Sequence, residues 1–428
     1  MKVKTLIIGA GITGLSAAYH LNKLGKKDYA VVEAAAYPGG LCTSIEHKGF
    51  TFDYSGHVIH TQQAYTRDFL KKMLGKNTLI VKRKAFVYCH DTMVPFPFQA
   101  NLSYLPQEIV SECVTALMAA AKNKKKNFDS FAAWAMATYG EGICKHFMFP
   151  YNQKIWQTDL NQLTTDWCNT FVPKTNLEDI VKGAYFKTRA SYGYNTHFFY
   201  PKTGGIGALA DAIAAKTPNI LYNTTLLSVD VKNKTAKTSE GDIEFENLIN
   251  TMPLDKFTAI CKGIAPAAKA DAKKLKHTKV YVLNLGVDRV IDNLSWAYFP
   301  EDKFKFYRVG VQSSFSPAVA PAGASALYVE VAAGQNAKEP DFKALEKEIL
   351  TSLYSTGIIN KEDKILAKLW LTVNPAYAVY NHDRAASVQS ILAELKTHNI
   401  TGIGRYGGWE YSFIERNILD GKEAAQKI

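Results

Sequence analysis

The sequence has no long apolar run and few cysteines. Its nearest approach to an apolar run, Val114 to Ala121, is short and leads into lysines, whereas a membrane-spanning helix needs about 20 apolar residues. We therefore expect no membrane span.

The six cysteines show neither CxxC nor Cys/His metal-ligand spacing. This predicts reduced thiols in a cytoplasmic protein without a disulfide framework or a structural metal.

Acidic residues are outnumbered, and repeats and low-complexity segments are absent. There are 51 basic and 39 acidic residues, a formal net charge of +12, which suits an anionic partner. The densest basic run, Lys122 to Lys126, lies between two helical patterns and is explained as a solvated loop. Because no recognised nucleic-acid-binding module is present, we expect an anionic cofactor or a phosphate-bearing substrate rather than nucleic acid. The 428 residues, 47% of them hydrophobic, predict two or three domain-like units.

The opening stretch, Lys2 to Glu33, has the pattern of a dinucleotide-binding site. The apolar residues of a short strand lead into Gly9-Ala10-Gly11-Ile12-Thr13-Gly14, and a helical pattern follows. Glycines in this order let the backbone approach a pyrophosphate, which the positive end of the helix dipole then stabilises. A second apolar run, Tyr29 to Val32, ends at Glu33, where such sites carry the carboxylate that binds an adenosine ribose.

Further glycine motifs extend this pattern beyond Glu33. Gly39-Gly40 follows shortly after it, and Gly56-His57 comes after an alternating aromatic run. In this order the motifs resemble the FAD-binding family that includes amine oxidases, protoporphyrinogen oxidase, phytoene desaturases and UDP-galactopyranose mutase. The resemblance implies FAD rather than NAD as the cofactor. The implied cofactor-binding residues are Gly9, Gly11, Ile12, Thr13, Gly14, Glu33, Ala34, Gly39, Gly40, Leu41, Ser55, Gly56, His57, Val229, Arg405, Tyr411 and Ser412.

Later segments narrow the resemblance to the UDP-galactopyranose mutases, in particular their eukaryotic type. These segments are Val94 to Gln99, Phe147 to Trp156, Trp296 to Asp302 and Phe306 to Arg308. The resemblance covers nearly the whole chain and implies an α/β fold, with a Rossmann-like (GR2-type) FAD-binding domain, a helical insertion and a mixed β-sheet substrate domain. The expected parts are residues 1–90 for the start of the FAD-binding domain, 91–190 for the helical insertion, 191–260 for the return to the FAD-binding domain, 261–385 for the sheet and 386–428 for the C-terminal part of the FAD-binding domain.

The resemblance also implies a reaction and its residues. In the mutases, N5 of the reduced flavin attacks the anomeric carbon, and UDP-galactopyranose and UDP-galactofuranose interconvert through the N5–sugar adduct. His57, beside the flavin, and Arg308, as a diphosphate clamp, are the implied catalytic residues. The sequence contains no separate nicotinamide site, and NAD(P)H is a candidate external reductant. The implied substrate-binding residues are Phe96, Gln99, Asn152, Trp156, Asn195, Trp296, Tyr298, Arg308, Tyr377 and Tyr411.

Several of these residues also have a plain structural explanation. A surface ion pair would also explain Arg308, although its place in the Phe306 to Arg308 motif favours phosphate recognition. Without its motif, His57 would be explained by a place in a turn. The tyrosines can fill a core with their hydroxyl groups bonded. The amides of Gln99 and Asn152 are harder to explain by packing, because buried amides need hydrogen-bond partners.

Three departures from the mutase pattern leave the function open. Phe149 stands where the family has an arginine, so one of two phosphate clamps is missing, a loss of ~1.5–3 kcal/mol for a charge-assisted contact. Ser55 replaces a glycine, and Phe96 replaces a tyrosine. We therefore keep two alternatives: an FAD oxidase or desaturase of the amine oxidase type, which its substrate would reduce, and a flavoprotein without catalysis. The sugar and the oligomeric state are also left open.

Overall fold

The structure, a computed structural model, describes residues 1–123, 125, 127–187 and 196–428. Its helices alternate with strands near the N-terminus and follow one another closely between residues 107 and 185. A π-helical turn, Cys144–Met148, joins the helix Phe131–Ile143 to the helix Phe149–Trp156. In chain order the helices are α1 (Ile12–Lys23), α2 (Ala64–Leu74), α3 (Gln107–Ala120), α4 (Phe131–Ile143), α5 (Phe149–Trp156), α6 (Cys168–Phe171), α7 (Leu177–Tyr185), α8 (Gly207–Ala214), α9 (Leu254–Ile260), α10 (Pro266–Ala272), α11 (Phe342–Ser355), α12 (Arg384–Thr397), α13 (Gly404–Gly407) and α14 (Ile414–Lys427).

The strands form two large mixed sheets and two short antiparallel pairs. The short pairs join β3 (Ser44–His47) to β4 (Phe50–Asp53) and β5 (Thr78–Lys82) to β8 (His197–Pro201). The other strands are β1 (Lys2–Ile8), β2 (Tyr29–Val32), β6 (Ala85–Cys89), β7 (Thr92–Pro95), β9 (Ile220–Leu221), β10 (Leu226–Asp230), β11 (Thr235–Thr238), β12 (Gly241–Asn250), β13 (Cys261–Lys262), β14 (Thr278–Val287), β15 (Trp296–Tyr298), β16 (Arg308–Val311), β17 (Ser325–Gly334), β18 (Ile365–Val373) and β19 (Ile400–Gly402).

The first sheet is built around β1. Its order is β13-β10-β11-β12-β1-β2-β9, and β19 also pairs with β12. Side chains of β1 alternate between its two faces: Ile7 packs with α1 and α14, whereas Leu6 and Ile8 pack with α9, α10 and α12. Because β1 runs parallel to β2 and β12, the loops that follow these strands meet at one edge of the sheet, and the glycine motif lies at that edge.

The second sheet has the order β18-β14-β17-β16-β15-β6-β7. Helix α11 covers one face, and the other face shares a core with the first sheet. The register pairs Tyr298 with Arg308, and Arg308 with Glu330. Three polar residues therefore lie in one row across β15, β16 and β17.

The α/β fold expected from the sequence is confirmed by these two mixed sheets and the helices packed on them. Of the helices in the described residues, none combines the length and the apolar composition needed to cross a membrane. The six cysteines are buried and free, and burial raises the pKa of Cys42 to about 12.

Candidate active site

A cavity of about 310 Å³, which we call the glycine-rich cavity, opens where β1 and β2 end. It lies at the edge of the first sheet where parallel strands present their carboxyl ends. The sequence motifs that are far apart in the chain meet here. The predicted cofactor-binding residues that line it are Gly9, Gly11, Thr13, Glu33, Ala34, Gly39, Gly40, Leu41 and Arg405.

The polar groups of the glycine-rich cavity fit the adenosine diphosphate half of FAD. The two carboxylate oxygens of Glu33 accept from the N–H groups of Ala10 at 2.7 Å and Ala35 at 2.9 Å, which orients the carboxylate. Among the described residues no side chain caps α1, so its first N–H groups can bind phosphate oxygens. A Cβ on Gly14 would lie 1.9 Å from the carbonyl oxygen of Gly9. Only glycine permits this turn to pack so closely.

Some predicted cofactor-binding residues lie outside the lining of this cavity. Ile12 and Gly14 are buried in α1, and Ser412 is also buried. Val229 is buried within β10, while residues 224–226, just before it, line the cavity. Direct contacts of Val229 and Ser412 with FAD stay predictions.

The segment Ser55-Gly56-His57 lies near the arginines of two cavities. Burial of His57, together with the charges of Arg405 and Arg308, lowers its pKa to about 4, so the ring is neutral at pH 7. Its Nδ1 is buried, and no described residue bonds to it. A buried ring nitrogen without a protein partner fits a position next to a bound group. The role of His57 beside the flavin stays a prediction.

Arg405 connects the glycine-rich cavity to a second cavity. Its guanidinium donates to the carbonyl oxygens of Ala376 at 2.7 Å and Ser412 at 3.1 Å. Its Cζ also lies 5.1 Å from the ring centre of Tyr377 and 5.3 Å from that of Tyr411. Arg405 therefore supports the wall between the two cavities.

The second cavity, which we call the aromatic cavity, has a volume of about 520 Å³. It brings together these predicted substrate-binding residues: Phe96, Gln99, Asn152, Trp156, Tyr298, Arg308, Tyr377 and Tyr411. The other lining residues were not predicted as substrate-binding; they are His60, Thr61, Gln62, Phe147, Met148, Tyr151, Ile155, Trp167, Asn169, Thr170, Phe171, Val172, Pro173, Lys174, Phe413 and Glu415.

Arg308 is paired with the carboxylate of Glu330, a residue that was not predicted from the sequence. Its Nε and Nη2 each donate to one oxygen of Glu330 at 2.6 Å, and Nη2 lies 3.3 Å from the hydroxyl of Ser55. Glu330 is 0% exposed. Burial would raise the pKa of Glu330, but Arg308 and Ser55 lower it, so the pair is ionised. Arg308 therefore adds little net charge to the aromatic cavity, and none of the described residues accepts from its Nη1.

The two buried amides of the aromatic cavity differ in how they are bonded. The side chain of Asn152 donates to the carbonyl oxygen of Met148 at 2.7 Å and accepts from Trp156 Nε1 at 3.2 Å. Gln99 donates from Nε2 to the carbonyl oxygen of Pro173 at 3.3 Å, but no described residue donates to its Oε1. Asn152 is thus satisfied within and next to α5, whereas Gln99 has an acceptor left for a ligand.

The remaining substrate-site predictions fall at different places. Trp296 lies behind the cavity wall and donates to the hydroxyl of Tyr298 at 2.9 Å, and Phe96 packs against Tyr298 with ring centres 5.2 Å apart. Phe149 begins α5 without lining the cavity. Asn195 lies outside the described residues.

The charges that line the aromatic cavity are balanced over its described residues. Glu415, in the first turn of α14, accepts from the hydroxyl of Thr61 at 2.6 Å and from the N–H of Gln62 at 3.1 Å. Lys174 carries the opposite charge.

A lone acidic residue inside an apolar strand, such as Glu330 in β17, is the sequence signal for a buried pair, because buried carboxylates are almost always paired.

Comparison with known proteins agrees with this geometry. The model of the flavin containing amine oxidoreductase family matches residues 12–428. A solved structure of reduced UDP-galactopyranose mutase is similar at a TM-score of 0.94 and 28% identity, over 99% of this chain and 95% of that one. Wild-type putrescine oxidase bound to putrescine has a TM-score of 0.67 at 15% identity, over 100% of this chain and 99% of that one. The latter likeness concerns the fold alone.

Curated relatives are more distant. Coproporphyrinogen III oxidase of Staphylococcus aureus (strain NCTC 8325 / PS 47) is 22% identical over 273 residues, which are 56% of this chain and 58% of that protein. An inactive all-trans-retinol 13,14-reductase of Danio rerio is 42% identical over 66 residues, 15% of this chain and 10% of that protein. The chain thus spans less than two thirds of the length of both.

The family match and the mutase structure support FAD as the cofactor, and they confirm the resemblance to UDP-galactopyranose mutase within the FAD-binding superfamily. The glycine-rich cavity supplies the groups that such a cofactor needs. The chain belongs to the flavin containing amine oxidoreductase family.

Proposed function

We propose that this chain is a flavin-dependent mutase that interconverts the pyranose and furanose forms of a nucleotide sugar, with UDP-galactose as the first candidate. The observation that carries the proposal is the similarity to reduced UDP-galactopyranose mutase over 99% of this chain. Such coverage includes the walls of both cavities. The enzyme would act in the cytoplasm, ahead of cell-surface polysaccharide synthesis, with NAD(P)H as a candidate reductant.

The aromatic cavity offers the groups that such a reaction needs. FAD, when bound and reduced, would supply the nucleophile, and the protein must stabilise the departing diphosphate. Arg308 would donate to it from Nη1, and the hydroxyl groups of Tyr377 and Tyr411 would add further hydrogen bonds. The free Oε1 of Gln99 would accept from a donor on the nucleotide sugar. These groups would have to hold the diphosphate without the arginine that Phe149 replaces.

The test is an isomerisation assay at a controlled redox state. The purified holoprotein is reduced with dithionite under anaerobic conditions, UDP-galactofuranose is added, and UDP-galactopyranose is measured by chromatography, with the oxidised protein as the control. We expect conversion in the reduced sample alone, because only the reduced flavin is a nucleophile. A reduced protein that holds FAD and converts nothing would exclude UDP-galactose as the substrate.

A second candidate is an FAD oxidoreductase of the amine oxidase type. The observation in its favour is the neutral charge of the aromatic cavity, where Glu330 balances Arg308 and Glu415 balances Lys174. A neutral aromatic wall suits an uncharged substrate better than a diphosphate. This candidate predicts that the substrate bleaches the oxidised flavin, whereas the mutase predicts isomerisation without net redox change. Anaerobic absorbance spectra of the oxidised protein with candidate substrates separate the two.

A further inference from the structure

Ser55 contacts both the loop of His57 and the ion pair of the aromatic cavity. Its carbonyl oxygen accepts from the N–H of His57 at 2.8 Å, and its hydroxyl donates to Glu330 Oε1. Arg308 Nη2 lies 3.3 Å from the same hydroxyl.

The hydroxyl completes the bonding of a buried carboxylate. Glu330 Oε2 accepts from Arg308 Nε, and Oε1 accepts from both Arg308 Nη2 and Ser55. Glu330 is 0% exposed, so in the folded protein its carboxylate depends on these bonds rather than on bulk water. Without the hydroxyl of Ser55, Oε1 would lose one of its two donors, and the guanidinium would lose its second contact on Nη2. The orientation of Arg308 therefore depends on a residue of the Ser55-Gly56-His57 segment.

We propose that Ser55 is a positioning residue that fixes Arg308 against Glu330 with Nη1 left for the ligand, and that it thereby sets the affinity of the aromatic cavity for the phosphate groups of the substrate. The second half of this inference rests on the proposed function. A donor held in place before binding loses less freedom when it meets its acceptor. The serine thus fixes the orientation of the Arg308 guanidinium before the ligand binds.

Glu330 is the group whose pKa depends on Ser55 and Arg308. The groups that face Glu330 are Arg308 and Tyr307 from the segment at β16, Tyr328 from its own strand, and Ser55 and His57 from the Ser55-Gly56-His57 segment. Burial lowers the pKa of His57 to about 4 and raises the pKa values of both tyrosines. At neutral pH, Glu330 and Arg308 are therefore the charged members.

The first measurement needs no substrate. The holoproteins of the wild type, Ser55→Ala, Ser55→Gly and Ser55→Thr are acidified, and unfolding is followed by the fluorescence of released FAD. A lowered pKa in the folded state gives stability that is lost as the pH falls through that pKa. Ser55→Ala and Ser55→Gly raise the pKa of Glu330 and should unfold at a higher pH, whereas Ser55→Thr keeps a hydroxyl and should follow the wild type. Equal midpoints for the wild type and Ser55→Ala, or a Ser55→Thr midpoint equal to that of Ser55→Ala, would overturn the inference.

The second measurement uses UDP as the probe, titrated against the flavin absorbance. Loss of one hydrogen bond to the charged network should weaken UDP binding roughly tenfold in Ser55→Ala, with Ser55→Thr close to the wild type and KM affected more than kcat. Equal UDP affinity in the wild type and Ser55→Ala would overturn the inference and leave the proposed function standing. A wild type that binds no UDP, but shows the expected acid midpoints, would overturn the proposed function and the phosphate role while the link from Ser55 to Glu330 stands.

Discussion

Arg308 determines how an anion would be held in the aromatic cavity. Its guanidinium already makes two bonds of 2.6 Å to Glu330, so it is well oriented but offers fewer free donors than an exposed arginine. A phosphate oxygen can bind Nη1 without breaking the pair. The bound phosphate then meets a neutral pair instead of a full positive charge. We therefore expect Tyr377 and Tyr411 to matter for binding as much as Arg308.

The Arg308→Ala variant tests the clamp directly. We expect its affinity for UDP to fall at least about tenfold, because a hydrogen bond to a charged group contributes roughly 1.5–3 kcal/mol. FAD should stay bound, because Arg308 does not line the glycine-rich cavity. The measurement is a UDP titration of the flavin absorbance. Arg289→Ala is the matched control, since Arg289 makes a comparable pair with Asp363 at 3.0 and 2.9 Å outside both cavities. Unchanged UDP affinity in Arg308→Ala would rule out the clamp.

Removing Arg308 from its pair with Glu330 should also lower the stability of the protein. Arg308→Ala leaves the carboxylate of Glu330 buried without its counter-charge, which should lower the free energy of unfolding by roughly 3–5 kcal/mol. The double variant Arg308→Ala/Glu330→Gln buries no charge and should recover a large part of that loss. Urea unfolding of the three holoproteins measures the difference. If the double variant is no more stable than Arg308→Ala, the buried charge is not the cause.

At the scale of elements, α5 is fixed to the segment that joins β15 to β16. Lys154 Nζ donates to the carbonyl oxygens of Phe299 at 3.0 Å and Phe304 at 2.7 Å, and also to that of Glu301. The same helix carries Trp156 at the wall of the aromatic cavity, and the segment leads to β16, which begins with Arg308. Lys154 therefore connects two segments that contribute to that wall.

Replacement of Lys154 by methionine should loosen this connection. Carbonyl oxygens that lose their donor in a partly buried site cost about 1–3 kcal/mol, and UDP binding should weaken as Arg308 and α5 move apart. Urea unfolding and a UDP titration measure the two effects. Lys347→Met, on the exposed side of α11, is the control and should stay within about 0.5 kcal/mol of the wild type. Equal results for the two variants would contradict the connecting role of Lys154.

Helix α14 approaches α1 closely enough to require glycine. A Cβ on Gly421 would lie 2.5 Å from the carbonyl oxygen of Thr13 and 2.6 Å from the nitrogen of Ala17. Gly421→Ala should cost about 1–3 kcal/mol through overpacking, despite the better helix propensity of alanine. It should also weaken FAD binding, because Thr13 lines the glycine-rich cavity. Gly334→Ala, with nothing within 4 Å of the new Cβ, is the control. FAD affinity and thermal unfolding are the measurements, and a Gly421→Ala variant like the control would show that the helices can separate without cost.

Sequence patterns predicted elements well where the pattern was local. The run Tyr29 to Val32 is β2, and the glycine motif leads into α1, because the periodicity and the glycines are set within a few residues. The pair of Arg308 with Glu330 was not predicted. It depends on the register of β16 against β17, and no local pattern specifies which acidic residue stands opposite an arginine.

At the scale of the whole molecule, the resemblance predicted some of the segments that form the aromatic cavity but not its charge. Eight predicted residues line it together, although they come from segments scattered between residues 96 and 411. The partners of these residues could not be read from the sequence: Asn152 is satisfied by neighbours along α5, whereas Gln99 keeps a free acceptor. Burial and hydrogen bonding of each side chain depend on the packed structure, and they separate structural amides from ligand-binding ones.

Acid should destabilise the whole molecule through histidines that are buried in their neutral form. Burial lowers the pKa of His20, His57 and His60 from 6.5 to about 4. Between these pH values the unfolded chain binds a proton at each histidine that the folded chain does not bind. The free energy of unfolding must therefore fall as the pH falls through this window, at roughly 1.4 kcal/mol per pH unit for each full proton.

His20 isolates this effect because it lies in α1 and lines neither cavity. Its Nδ1 is 2.6 Å from the carbonyl oxygen of Ser16, and its Nε2 bonds to the hydroxyl of Tyr65. We expect His20→Gln to be less stable than the wild type by a constant amount above about pH 6.5, since it loses packing and a bond. Below that pH the difference should shrink, because only the wild type loses the proton-linked stability of His20. Urea unfolding at intervals between about pH 7.5 and 4.5 measures the two curves, with His47→Gln, at a half-buried position in β3, as the control. Curves that stay parallel down to the lowest pH would mean that His20 binds its proton equally well in the folded and unfolded chains, and burial would then not be the source of the acid sensitivity.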